Sequence, residues 1–161
     1  MAKTCNTLYA THPDLVERFI HEGGYRIAPV EVRHSARLGA GREFVIRHAW
    51  ANLGVGVLPN HNRRWGQKYR PAFAQLAAGA NAPEERHVFI ARDAEPGDWL
   101  RGTVHEYALR ATLPPLVLPG MYKLACAIPN TRPDRGPDLQ LALKTPRFGS
   151  WYELGHVEVI P

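Results

Sequence analysis

The densest collection of ligand-capable side chains in this sequence is the run Asn60-His61-Asn62-Arg63-Arg64-Trp65-Gly66-Gln67-Lys68-Tyr69-Arg70. It mixes amides, cations and aromatics between two apolar segments. Sugars are bound by such mixtures: flat rings stack on pyranose C–H faces while amide and guanidinium groups bond the hydroxyls. On this reading Trp65 and Tyr69 stack, Asn62, Arg64 and Gln67 supply hydrogen bonds, and Trp151-Tyr152 offer a second aromatic pair. The competing reading packs Trp65 and Trp151 under their own loops and leaves the arginines to solvent or to a neighbouring domain.

Elsewhere the sequence offers little catalytic chemistry. The only serines, Ser35 and Ser150, lie outside any Gly-x-Ser-x-Gly elbow. Cys126 falls in an apolar alternation, where a thiol is inert packing, and Cys5 lies in a loose terminus; far apart in sequence, they form neither a metal spacing nor a disulfide framework. The histidines show no zinc spacing, although His48 and His105 fall on aromatic strand faces that neighbouring strands could bring together. Asp93, Glu95 and Asp98 could offer calcium oxygens from one loop, without EF-hand order. Glu31, Glu106, Glu153 and Glu158 alternate with apolar residues as on a solvated face, whereas glycoside cleavage needs two acids facing a cleft. The expectation is no catalytic residue, no cofactor and no metal.

The elements that position these residues read mainly as strands. One helix comes first: Leu15, Val16, Phe19 and Ile20 have helical spacing, with Pro13 in the first turn and Gly23-Gly24 as a stop, predicting a helix over Pro13–Glu22. From Tyr25 onward the period falls to about 2. In the clearest strand Phe44, Ile46, His48 and Trp50 share one face and Val45, Arg47 and Ala49 the other. Tyr122, Leu124, Cys126 and Ile128 alternate with Met121, Lys123, Ala125 and Ala127 after a Pro119-Gly120 turn. Leu139, Leu141 and Leu143 alternate likewise, and Val157 and Val159 face the core in the last strand. Tyr25–His34, Arg70–Leu76, His87–Ala91 and Thr103–Ala111 are further strands, and Phe148-Gly149-Ser150-Trp151 reads as a turn. The fold class expected is mainly β: an antiparallel β-sandwich, Ig-like or jelly-roll-like, of about eight strands with one short N-terminal helix. Residues 1–23 form the helical N-terminal segment and residues 24–161 the sandwich domain.

Composition narrows the classes. With 161 residues, 45% hydrophobic and 22% charged, the chain fits one globular domain. Apolar stretches such as Leu113–Leu118 fall far short of the roughly 20 residues of a membrane helix. Met1–Ala10 carries a single lysine and no apolar core, so it does not read as a secretory signal; cytoplasmic is the default expectation, and extracellular if the chain is part of a secreted protein. A net charge of +5 would permit weak binding to polyanions, but the basic residues are scattered and a nucleic-acid partner is not expected.

Several segments together resemble the C-terminal β-sandwich domain, of uncharacterised function, that follows the (β/α)8 barrel in a group of glycoside-hydrolase-like bacterial proteins. The likeness covers roughly residues 12–160. The His12-Pro13 helix leading to Gly24-Tyr25-Arg26 looks like that family's junction between barrel and sandwich. Trp50-Ala51-Asn52-Leu53-Gly54 is similar to its Trp-x-Asn-x-Gly turn, and Pro119-Gly120-Met121-Tyr122-Lys123-Leu124 resembles its Pro-x-Gly-x-Tyr-x-Leu strand opening. Leu139–Leu143, Trp151, Leu154-Gly155 and Val157 resemble its closing strands. Pro59 departs from the pattern, arriving later than the proline that usually follows the turn. The resemblance implies the tail of a larger enzyme, or a relative without its barrel, in either case with the chemistry in the barrel. The leading function is thus a non-catalytic accessory module of a glycan-processing protein, with a barrel domain as partner. An independent carbohydrate-binding module, and a basic nucleic-acid or protein interaction module, are the alternatives.

Overall fold

A computed structural model describes residues 10–77, 85–132 and 136–161. Helix α1 covers Pro13–Glu22, as its apolar spacing and flanking Pro13 and Gly23 predict. The strands are β1 (Ile27–Arg33), β2 (Arg37–Gly39), β3 (Glu43–Asn52), β4 (Ala72–Ala77), β5 (Glu85–Ile90), β6 (Val104–Thr112), β7 (Gly120–Ala127), β8 (Arg147–Phe148) and β9 (Trp151–Ile160). A 3-10 turn at Pro96–Asp98 precedes β6. Cys5 lies outside the described residues.

The strands form two sheets packed as a sandwich. The smaller has the order β1-β3-β6, and the larger β2-β9-β7-β4-β5 with β8 on β9. Period-2 alternation in β3 puts Phe44, Ile46, His48 and Trp50 inward, all buried, and pairs them with Ala111, Leu109, Tyr107 and His105 of β6. They meet Phe73, Leu124, Cys126, Val157 and Val159 of the larger sheet in one core, which Trp99 and Leu113 enter from the loops. The larger sheet is also buried on its other face, where Ala72, Ala74, Leu76, Ala125 and Ala127 pack with Trp151. Small side chains leave room there for the indole to lie close to the sheet.

Three details differ from the sequence expectation. Every described strand pair is antiparallel except β2 with β9, a short parallel pair at the sheet edge. Arg37–Gly39 and Arg147–Phe148 are strands too short to show a period. Conversely, Leu139–Leu143 is not a strand. Leu139 and Leu141 do point into the core, but Leu139 makes a single bridge to Ile128, Leu141 N–H donates to Tyr152 Oη and Ala142 N–H donates to Ile27 O.

Candidate functional site

The loop from Leu53 to Pro71 joins β3 to β4 and carries the amide-aromatic run. Its organiser is Asn60, which is buried. Asn60 Oδ1 accepts from Tyr69 N–H at 3.1 Å, and its Nδ2 donates to Tyr69 O at 2.8 Å and to Glu95 Oε1 at 2.6 Å. The side chain thereby does for Tyr69 what a neighbouring strand would do. Glu95 is fully engaged: Oε1 also accepts from Gly97 N–H at 2.9 Å, and Oε2 lies 2.6 Å from Arg70. Lys68 Nζ donates to the carbonyls of Asn60 and Asn62, and Asn62 Oδ1 accepts from Arg64 N–H at 3.0 Å. Such local bonds close a turn.

Most rings of the expected aromatic platform are buried in this arrangement. Tyr69 is 4% exposed; its hydroxyl donates toward Gln67 Oε1 at 2.6 Å, with Pro137 O at 3.0 Å, and burial pushes its pKa above the ordinary phenol value. Trp151 and Tyr152 point to opposite faces of β9 and are buried on both, Trp151 against the alanines and Tyr152 in the main core. None of these three rings offers a free face. Trp65 is half-buried, tilted on Tyr69 at 5.5 Å with Lys68 Nζ 5.9 Å from its ring. Asn62 and Arg64 remain exposed, and Gln67 is half-buried.

The other candidates separate rather than converge. His48 and His105 lie on adjacent strands, but the register pairs His48 with Tyr107 and His105 with Trp50. Among the described residues no three His, Cys, Asp or Glu side chains cluster in a way that could hold a metal ion. Glu95 of the acidic loop is bonded as described, and Asp98 lies 2.7 Å from His61 Nε2. Glu31 pairs with Arg33 at 2.6 Å, Glu153 with Lys123 at 2.9 Å and Glu158 with Arg37 at 2.7 Å. Burial drives the Cys126 thiol up to about 12, so it carries no thiolate near neutral pH.

The Trp-x-Asn-x-Gly segment is a structural device. Asn52 Oδ1 accepts from Arg26 N–H and Gly54 N–H, both at 3.0 Å, while Nδ2 donates to Gly56 O at 2.7 Å and Trp99 O at 2.9 Å. A side chain at Gly54 would start 2.3 Å from Gly24 O, so only glycine lets this turn close on the helix exit.

The sequence places His48 on an aromatic strand face without showing what surrounds it. Trp50 and Trp99 stack at 5.6 Å, and Trp99 Nε1–H donates to Tyr107 Oη at 2.8 Å. His48 stacks on Tyr107 at 5.6 Å and accepts from Trp50 Nε1–H through Nδ1 at 2.8 Å. Its Nε2 is buried with no hydrogen-bond partner among the described residues, and burial holds its pKa down at about 4. The available signal was a histidine in an otherwise apolar stripe.

No protein-family model matches the chain, and no curated protein matches it. Among solved structures it is similar to a Niemann-Pick type C2 protein from the Japanese carpenter ant, at a TM-score of 0.48 and 5% identity over 86% of this chain and 95% of that one. It is also similar to a β-glucosidase from Erythrobacter marinus (TM-score 0.43, 12% identity, 84% of this chain). A β-glucosidase from Listeria innocua, in complex with laminaribiose, gives a TM-score of 0.42 and 9% identity over 85% of this chain. The chain spans only 16% of the length of either β-glucosidase. With TM-scores below 0.5, none of these likenesses assigns a family or a function.

Proposed function

We propose that this chain is a non-catalytic β-sandwich module that buttresses a second domain and docks on it through α1. The observation that carries the reading is an apolar stripe on that helix that no described residue covers: Leu15 is 62% and Phe19 75% exposed. An isolated amphipathic helix this short gains most of its stability from covering such a face. The helix exit is tied to the sandwich, with Val55 N–H donating to Glu22 O at 3.0 Å and Arg101 pairing with Glu22 at 3.0 Å. Leu53, Val55 and Leu100, in the segments so tied, are exposed as well. Burial of Leu15 and Phe19 on a partner would contribute about 1.5 to 3 kcal/mol for each side chain. The finer reading is that the partner is the barrel of a glycoside-hydrolase-like protein; its support is the order of the junction, turn and closing-strand segments in the sequence.

The double variant Leu15→Asp, Phe19→Asp tests this reading. Its urea unfolding midpoint should match the parent chain's, while binding of a hydrophobic dye falls. In co-expression with a barrel domain encoded beside it, only the parent chain should co-purify. A clearly lower midpoint in the double variant would place the stripe in the chain's own core and end the proposal.

A further inference from the structure

The outermost strand of a sheet presents a row of unpaired backbone N–H and C=O groups, and natural folds guard such edges against pairing with another chain. The edges of this sandwich are guarded unequally. At one end of the smaller sheet β1 carries Pro29 and a bulge between Pro29 and Glu31, and in the larger sheet the edge strand β2 is only three residues long. At the other end of the smaller sheet stands β6, which has neither device. Its nine residues, Val104–Thr112, pair with β3 without a bulge and include no proline, glycine or lysine. Among the described residues β6 pairs with β3 alone, so its outer edge is open.

The side chains of β6 are incompletely covered on the inner face. His105, Tyr107, Leu109 and Ala111 are only half-buried, whereas Trp50, His48, Ile46 and Phe44, which face them from β3, are buried. On the outer face Glu106, Ala108 and Arg110 are exposed. Glu106 makes no ion pair among the described residues, and Arg110 lies 3.4 Å from Glu43 in an exposed pair of the kind that contributes little.

Ala108 is the midpoint of the strand. We propose that β6 pairs antiparallel with β6 of a second copy of this chain about a two-fold axis at Ala108, so that the two smaller sheets run on as one. That register matches Val104 with Thr112, His105 with Ala111, Glu106 with Arg110 and Tyr107 with Leu109. Inward residues meet inward residues, so the joined sheet keeps both cores on one side. The two-fold axis makes the Glu106–Arg110 match occur twice, and opposite charges set directly across a strand pair favour it. Moving the axis to Tyr107 or Leu109 sets Glu106 against Ala108 or Thr112 and loses both matches. At the axis itself Ala108 meets Ala108, which brings no bulk between the strands. The pairing uses up both β6 edges and leaves the guarded β1 at each end of the joined sheet, so it closes at two copies. This inference goes beyond the docking reading of α1 and uses none of its residues.

Sedimentation velocity on the whole chain tests it. The parent should pass from monomer to dimer over about 1 to 100 μM, the weak range of a small interface. Glu106→Arg and Arg110→Glu each set like charges opposite one another at two places, and each should weaken the dimer by about tenfold or more. Both positions are exposed, so neither change should move the urea unfolding midpoint. An equimolar mixture of the two single variants should dimerise again, because every match across the axis is then between opposite charges. The double variant Glu106→Arg, Arg110→Glu should dimerise by itself for the same reason. A parent chain still monomeric at about 500 μM would overturn the proposal. Single variants that dimerise like the parent would also overturn it, since association through the apolar stripe of α1 would ignore these charges. Failure of both the mixture and the double variant to recover would overturn the register and the proposal with it.

Discussion

The loop around Asn60 and the inner face around His48 invert each other. The loop has the composition of a binding surface, yet its donors and acceptors are largely used up internally: Asn60 serves both backbone groups of Tyr69, Glu95 serves Asn60, Gly97 and Arg70, and the Tyr69 hydroxyl turns to Gln67. The inner face has the composition of a core, yet His48 Nε2 finds no hydrogen-bond partner among the described residues. Binding capacity is measured by polar groups left unsatisfied once the chain has folded, and composition does not report that quantity. A loop rich in amides and cations can spend most of them on holding its own shape.

The comparison makes its largest testable demand on acid. His48 titrates at about 4 in the folded chain against an ordinary 6.5, because burial disfavours the imidazolium. The unfolded chain therefore binds the proton more readily, and stability that is complete above pH 6.5 is lost as pH falls toward about 4. The loss amounts to roughly 3 kcal/mol. Urea unfolding at successive pH values should show this step in the parent and not in His48→Phe, with the carboxylates cancelling between the two. Parallel curves would mean that the ring is solvated. The loop should answer to Asn60→Ala instead. That variant strands the Tyr69 N–H and C=O and one bond to Glu95, so it should cost about 2 kcal/mol at neutral pH. A neutral outcome would show that the loop's polar groups are interchangeable with water, and would return them to the list of ligand contacts.

The fold was legible where signals are local. Pro13, the apolar spacing and Gly23 bound the helix at its observed ends, and the alternation of Phe44 to Trp50 gives the buried face of β3 directly. Leu139 to Leu143 shows the limit: alternation reports where side chains go, and it is silent about whether a neighbouring backbone is there to bond. Trp151 and Tyr152 show another. Adjacent strand residues face opposite ways, and both are buried only because a layer of alanines makes the outer face of the larger sheet a second packing surface. Alanines carry too little apolar contrast to announce this. The site was less legible still, because the free nitrogen of His48 follows from the placement of Trp50 Nε1, a matter of ångströms rather than residue type.

The smallest effect separates the two regions most finely. Trp65 is the one ring of the expected platform that keeps part of its surface in solvent, and it rests on Tyr69 with the Lys68 ammonium above it. An exposed cation over an indole contributes about 0.5 to 1 kcal/mol, and a tilted aromatic pair a similar amount. Since the hydrogen bonds of Asn60 do not involve the indole, Trp65→Ala should lower unfolding stability by only about 1 to 2 kcal/mol and leave the pH-dependent step of His48 unchanged. Equilibrium unfolding in urea reads both at once. A loss of about 3 kcal/mol or more would make Trp65 a core residue and deny the loop any role beyond packing. No loss at all would mean that the ring stands free of Tyr69, as a stacking surface must. In that case a glycan array on the parent chain, with Trp65→Ala as its control, becomes the measurement that decides whether sugar is what the ring meets.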